Sequence, residues 1–197
     1  RVKICGLRSA ADMAAVVSAG AAYAGLNFFP KSPRFLTLPH ARDVALAAPP
    51  GMVKVALTVD ADDATLDAIV EAVPLDMLQL HGHESPERVA DLRARYGLPV
   101  MKVLGVADES DLAPLIDYSL VADQLMIDAK PPKGAVLPGG NGIAFDWRLL
   151  VGRKWLEIST GKVMPDKVVT SVAKLRTGNF CFKEVFKTPQ STAPLII

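Results

Sequence analysis

Two side chains in this sequence are of the types that move protons, and both stand at the end of a short apolar run. Cys5 closes Val2-Lys3-Ile4-Cys5, and Asp128 closes Gln124-Leu125-Met126-Ile127-Asp128. A thiol, titrating at about 8.5 when unperturbed, can be tuned into a base near neutrality. A carboxyl group can supply the matching acid. If Val2 and Ile4 face a layer of helices, strand alternation turns Lys3 and Cys5 to the opposite face, with Cys5 at the strand's end. The competing readings are plain: a small buried hydrophobe for Cys5 and a turn or capping aspartate for Asp128. Placed across from one another, the two groups could protonate one side of a bound molecule and deprotonate the other. An isomerase needs that division of labour.

Other segments offer ways to hold such a molecule. In Phe29-Pro30-Lys31-Ser32-Pro33-Arg34 two prolines stiffen a loop that carries two cations. Arg34 is the better anchor for an anion, because a guanidinium grips a carboxylate through two hydrogen bonds where lysine acts as a point charge. Gln79 and His81, in Gln79-Leu80-His81-Gly82, share one strand parity. Pro138-Gly139-Gly140-Asn141-Gly142 is a glycine-rich loop that could donate backbone amides to an anion, and Ser159-Thr160-Gly161-Lys162 could do so at a strand end.

The elements that must position these residues follow from the hydrophobic pattern. Strand candidates fall at Val2–Cys5, Tyr23–Phe28, Val53–Val59, Met77–Leu80, Val100–Leu104, Gln124–Ile127, Trp155–Ile158 and Asn179–Phe182. Helix candidates lie between them at Ala11–Ala19, Pro39–Ala47, Ala64–Ala72, Pro86–Tyr96, Asp111–Ile116, Asp146–Leu150 and Pro165–Leu175. Ser9, Asp62 and Ser85 suit N-cap positions, and Pro39, Pro86 and Pro165 suit a first helical turn. Eight such βα steps predict a single-domain (β/α)8 TIM barrel over residues 1–197, with a short or incomplete eighth helix. An open doubly wound sheet is the runner-up, but Cys5-Gly6-Leu7-Arg8 is not the glycine fingerprint that fold carries after its first strand. In a barrel, the first and sixth strands place Cys5 and Asp128 across the mouth from each other.

Composition narrows the function classes. Over 197 residues, 22 Lys and Arg balance 21 Asp and Glu, for a net charge of +1. No basic run exceeds two residues, so no nucleic-acid partner is expected. No apolar stretch reaches membrane-spanning length and no leader pattern opens the chain, which predicts a cytoplasmic protein. Two cysteines, Cys5 and Cys181, make neither a disulfide framework nor a metal cluster. The sequence changes style near residue 153. The part before it is rich in alanine and net acidic, whereas 153–197 holds only Ala173 and Ala193 and is net basic.

Taken together, the chemical segments resemble the phosphoribosylanthranilate isomerase family, (β/α)8 enzymes of tryptophan biosynthesis. The resemblance rests on Val2-Lys3-Ile4-Cys5-Gly6-Leu7, Gly25-Leu26-Asn27-Phe28-Phe29-Pro30-Lys31-Ser32-Pro33-Arg34, Leu78-Gln79-Leu80-His81-Gly82, Met126-Ile127-Asp128-Ala129-Lys130 and Gly139-Gly140-Asn141-Gly142 with Phe145-Asp146-Trp147. It implies an Amadori rearrangement of phosphoribosylanthranilate, a small-molecule substrate, without metal or organic cofactor, by a monomer or homodimer. Asp128 would be the general acid and Cys5 the base at C2. Arg34 would hold the anthranilate carboxylate, with Gln79, His81 and Gly161 completing the substrate-binding set. Two departures stand out. Thr160 replaces a family glycine in the loop after strand 7, and Lys183–Pro189 does not carry the family's motif after strand 8. Either the phosphate grip is lost, or the residue identities over this stretch are not those of the real chain. The alternatives are another sugar-phosphate-binding barrel, such as an indole-glycerol-phosphate synthase, and a non-catalytic barrel that binds without turnover. Cys181, on the expected eighth strand, would neighbour Cys5 and could pair with it on oxidation.

Overall fold

The computed structural model describes residues 1–131, 133–135, 146 and 149, together with short strand segments in 168–180. Six parallel strands run in sequence order: β1 (Lys3–Cys5), β2 (Tyr23–Asn27), β3 (Val53–Thr58), β4 (Met77–Leu80), β5 (Val100–Val106) and β6 (Gln124–Ala129). Between them lie α1 (Ala10–Ser18), α2 (Leu38–Leu46), α3 (Asp63–Ala72), α4 (Pro86–Tyr96) and α5 (Leu115–Val121). Three of the five N-caps are those read from the sequence. Ser9 accepts from the Asp12 amide at 3.0 Å, Asp62 from Thr65 at 2.9 Å and Ser85 from Arg88 at 3.2 Å.

The fifth helix is displaced from its expected place at Asp111–Ile116. A 3₁₀ turn at Glu109–Leu112 precedes α5, because Pro114 cannot sit inside a helix without losing a hydrogen bond and crowding the preceding turn. The larger difference is in 165–175, expected to be helical. Val168–Val169 forms β7, parallel to β6, and Ala173–Arg176 forms β8, parallel to β1. Val168, Val169, Thr170 and Val172 are β-branched, and such residues favour strands over helices. Asn179–Phe180, within the expected eighth strand, is instead β9, antiparallel to β8. Two residues separate β8 from β9, a connection too short for any but antiparallel neighbours. The expected strand at Trp155–Ile158, the loops at Pro138–Gly142 and Ser159–Lys162, and Cys181 lie outside the described residues.

The sheet curls on itself. Gln124 Nε2 on β6 donates to the Tyr23 hydroxyl on β2 at 3.3 Å, although three strands stand between them. In a flat sheet those strands would be about 19 Å apart, four steps of about 4.8 Å. β7 extends the β6 edge and β8 the β1 edge, and only the residues between Val169 and Ala173 join them. The two edges are therefore close.

Curling splits the apolar residues into two layers by parity. Ile4, Leu26, Ala56, Leu78, Leu104 and Ile127 face outward and pack with helix residues such as Met13, Val44, Leu66 and Leu92. Tyr23, Val55, Met77, Met101, Val103 and Met126 fill the inside. The register staggers as a closing barrel requires: Cys5, last in β1, is in register with Gly25, Gly25 with Val55, and Val55 with Met77, first in β4.

A fully buried ion pair lies in the outer layer. Lys102 on β5 is buried, and its Nζ donates to Glu84 Oε2 at 2.6 Å and to the Gly82 carbonyl at 2.7 Å, 5.6 Å from the Tyr118 ring centre. Glu84 also accepts from the Asp60 and Gly82 amides, each at 3.0 Å. Removing one partner strands the other in a dry layer. Lys102→Met is expected to cost about 3–5 kcal/mol in urea unfolding, and Lys102→Met with Glu84→Gln should recover more than half of it.

Candidate active site

Cys5 and Asp128 stand at the carboxyl ends of β1 and β6, both at inward parity. Cys5 is a free cysteine, buried, with 7% of its surface exposed. Asp128 is more open, its side chain 34% exposed, and its Oδ1 accepts from the Ala129 amide at 2.9 Å. His81, one residue beyond β4, brings Nε2 to 3.6 Å from Asp128 Oδ2 across the intervening β5. Gln79 Nε2 lies 3.3 Å from His81 Nδ1. With the Gln79 amide as donor, Nδ1 accepts, so the imidazole proton sits on Nε2 and points at the carboxylate. Alternation places Gln79, His81 and Asp128 on the inner face, and the curl of the sheet makes them a chain.

Arg34 reaches the same mouth by a folded loop. Asn27, the last residue of β2, accepts the Phe29 amide at 2.9 Å through its side chain. Ser32 closes a turn on the Phe29 carbonyl and accepts the Arg34 amide at 3.2 Å through Oγ. Those bonds turn the Arg34 side chain back over Gly6, beside Cys5. Gly6 has φ +86°, and a β-carbon there would lie 2.3 Å from Arg34 Cδ. Only glycine tolerates both the backbone angle and the contact. The Arg34 Nε is buried and has no hydrogen-bond partner among the described residues.

Lys130, in the loop after β6, bonds to Asp111 in the turn after β5. Burial pushes the Asp111 carboxyl up, but the Lys130 bond and the Ala107 and Asp108 amides outweigh it and hold the group below its ordinary value. Lys130 is correspondingly held above its own. Of the residues expected from the sequence, the structure gathers Cys5, Arg34, Gln79, His81 and Asp128 at one end of the sheet; Gly161 lies outside the described residues. Sequence reasoning placed Lys3 on the inner face but gave it no task. The signal was a lysine in an apolar strand two residues before Cys5. Lys130 had no signal beyond its loop. Among the described residues, no three His, Cys, Asp or Glu side chains group as metal ligands would, and no helix is long and apolar enough to cross a membrane.

A curled parallel sheet with a thiol, an imidazole and a carboxyl group at the carboxyl ends of its strands has the form of a (β/α)-barrel enzyme, in which the loops at that end hold the substrate. The family described as N-(5'-phosphoribosyl)anthranilate isomerase matches residues 2–180, and the chain belongs to that family. A relative from Cereibacter sphaeroides bearing that name is 72% identical over 156 residues, 79% of this chain and 74% of the relative. The crystal structure of phosphoribosyl anthranilate isomerase from Thermotoga maritima superposes with a TM-score of 0.70 at 29% identity, covering 87% of this chain and 76% of that one. A further crystal structure shows phosphoribosyl anthranilate isomerase in complex with reduced 1-(o-carboxyphenylamino)-1-deoxyribulose 5-phosphate. It has a TM-score of 0.61 at 30% identity, over 66% of this chain and 64% of that one.

The Lys130–Asp111 pair carries a pH signature. A depressed carboxyl adds stability above its unfolded value and loses it as the pH falls through its folded value. Lys130→Ala is therefore expected to lower the thermal midpoint slightly at pH 7. The gap from the parent should close as the pH falls below the ordinary aspartate value of about 3.9, in scans across pH 7 to 2.5.

Proposed function

We propose that this chain converts N-(5'-phosphoribosyl)anthranilate into 1-(2-carboxyphenylamino)-1-deoxyribulose 5-phosphate. The observation that carries the reading is the placement of Cys5 and Asp128, inward at the ends of β1 and β6, in a family whose solved members include one holding the reduced product.

The chemistry follows from the groups. Asp128 in its acid form gives its proton to the ribose ring oxygen as the C1–O bond breaks, and the nitrogen lone pair forms the C1=N bond of a Schiff base. Cys5 then takes the hydrogen from C2. The C2–H electrons become a C1=C2 bond, and the C=N electrons return to nitrogen, leaving an enolamine. Loss of the enol proton and protonation at C1 give the ketone. The two transfers act at different atoms of one small molecule, which suits an acid and a base on separate strands. His81, with Nε2 3.6 Å from Asp128 Oδ2, is placed to approach that carboxylate once its proton has gone. Arg34, whose Nε has no acceptor among the described residues, takes the anthranilate carboxylate.

Loss of substrate fluorescence, followed on the purified protein and its variants, tests this. Cys5→Ala and Asp128→Asn should each lower turnover by about 10²–10⁴-fold. Arg34→Met should mainly raise KM. Parent protein no faster than the spontaneous reaction, or variants as fast as the parent, would remove the proposal.

A further inference from the structure

The interior holds a second buried lysine with a different standing from Lys102. Lys3 is 0% exposed, and its Nζ has no hydrogen-bond partner among the described residues. Burying a polar group without an acceptor costs free energy that a methionine or leucine of similar length would not. Nothing in the inner layer explains the cost, because Tyr23, Met77, Met101 and Met126 fill that layer without it.

The location does explain it. Gly25, next to β1 in the sheet, faces inward, and its missing side chain leaves a space that the Lys3 chain enters. A β-carbon on Gly25 would stand 2.8 Å from Lys3 Nζ and 3.0 Å from Cys5 Sγ. The amine and the sulfur are thus neighbours on either side of one glycine. A molecule that puts its C2 hydrogen on Cys5 Sγ puts the oxygen bonded to C2 within reach of a donor in this position. The phosphate, on C5, is three bonds further along the sugar.

We propose that Lys3 is a substrate-binding residue whose amine donates a hydrogen bond to the C2 oxygen, the atom that becomes the product ketone. The inference rests on Cys5 acting at C2. The bond fixes rotation about C2 so that its hydrogen points at the sulfur, and it favours the ketone that the enolamine must become. Gly25 is the companion requirement, because any larger residue would push Lys3 Nζ and Cys5 Sγ apart. The barrel keeps an amine that weakens its core because the substrate supplies the missing acceptor.

The test compares Lys3→Met with the parent in two ways, with Lys102→Met as the control for losing a buried lysine. In urea unfolding, Lys3→Met should be at least as stable as the parent, whereas Lys102→Met is less stable. Fluorescence titration should then show the parent binding the reduced product about 10–100-fold more tightly than a counterpart lacking the C2 oxygen, the range for a hydrogen bond from a charged donor. Lys3→Met should bind the two within about threefold of each other. Equal losses for both ligands, or an unchanged preference, would overturn the role of Lys3. If the parent binds neither ligand and shows no turnover, the isomerase reading falls first and takes this inference with it.

Discussion

A parallel sheet that curls on itself must bury both faces of every strand against different surroundings, and the placement of each residue that matters here follows from that demand. One parity meets helices and accepts Ile4, Leu78 and Leu104. The other meets its own opposite wall, where Tyr23 and Gln124 touch across three strands. Groups at the strand ends on the inner parity are turned toward a common centre. Cys5, Gln79, His81 and Asp128 stand at one end of the sheet although the sequence spreads them over more than a hundred residues.

The polar members of this site are held from the side and not from below. His81 is fixed between Gln79 and Asp128, Arg34 by the turn around Ser32, and Lys130 by Asp111. The first and last of these ties link the end or loop of one strand to that of another, and the Ser32 tie stays within the loop after β2. The mouth therefore depends on the curl of the sheet as much as on any one loop, and a change in curl would separate partners on β4 and β6 before it disturbed either strand.

Strand alternation and cap chemistry made most of this legible from the residues. Ser9, Asp62 and Ser85 start helices because a short side chain ending an extended residue satisfies a free amide, and no tertiary context was needed to see it. The inward turn of Cys5 followed from Val2 and Ile4. What stayed hidden depended on contacts between distant residues. The acceptor that permits Lys102 to be buried comes from Glu84, 18 positions away on another connection, and alternation along β5 carries no sign of it. The segment 165–175 holds strands where a helix is expected, because Pro165 suits a helix start while the β-branched run after it pairs with strand edges that only the curled sheet provides.

The two buried lysines show how a core separates residues kept for stability from residues kept for chemistry. Lys102 has a carboxylate, a carbonyl and an aromatic face around it, so its charge is neutralised by the fold and it ties two loops to β5. Lys3 sits at the same depth with no such set among the described residues. A fold that can bury a lysine with full satisfaction a few strands away has no structural need of an unsatisfied one beside Cys5. The asymmetry also explains the glycine at position 25. A β-carbon there would stand 2.8 Å from Lys3 Nζ and 3.0 Å from Cys5 Sγ, so the space left by glycine is the one through which the Lys3 amine reaches the level of Cys5.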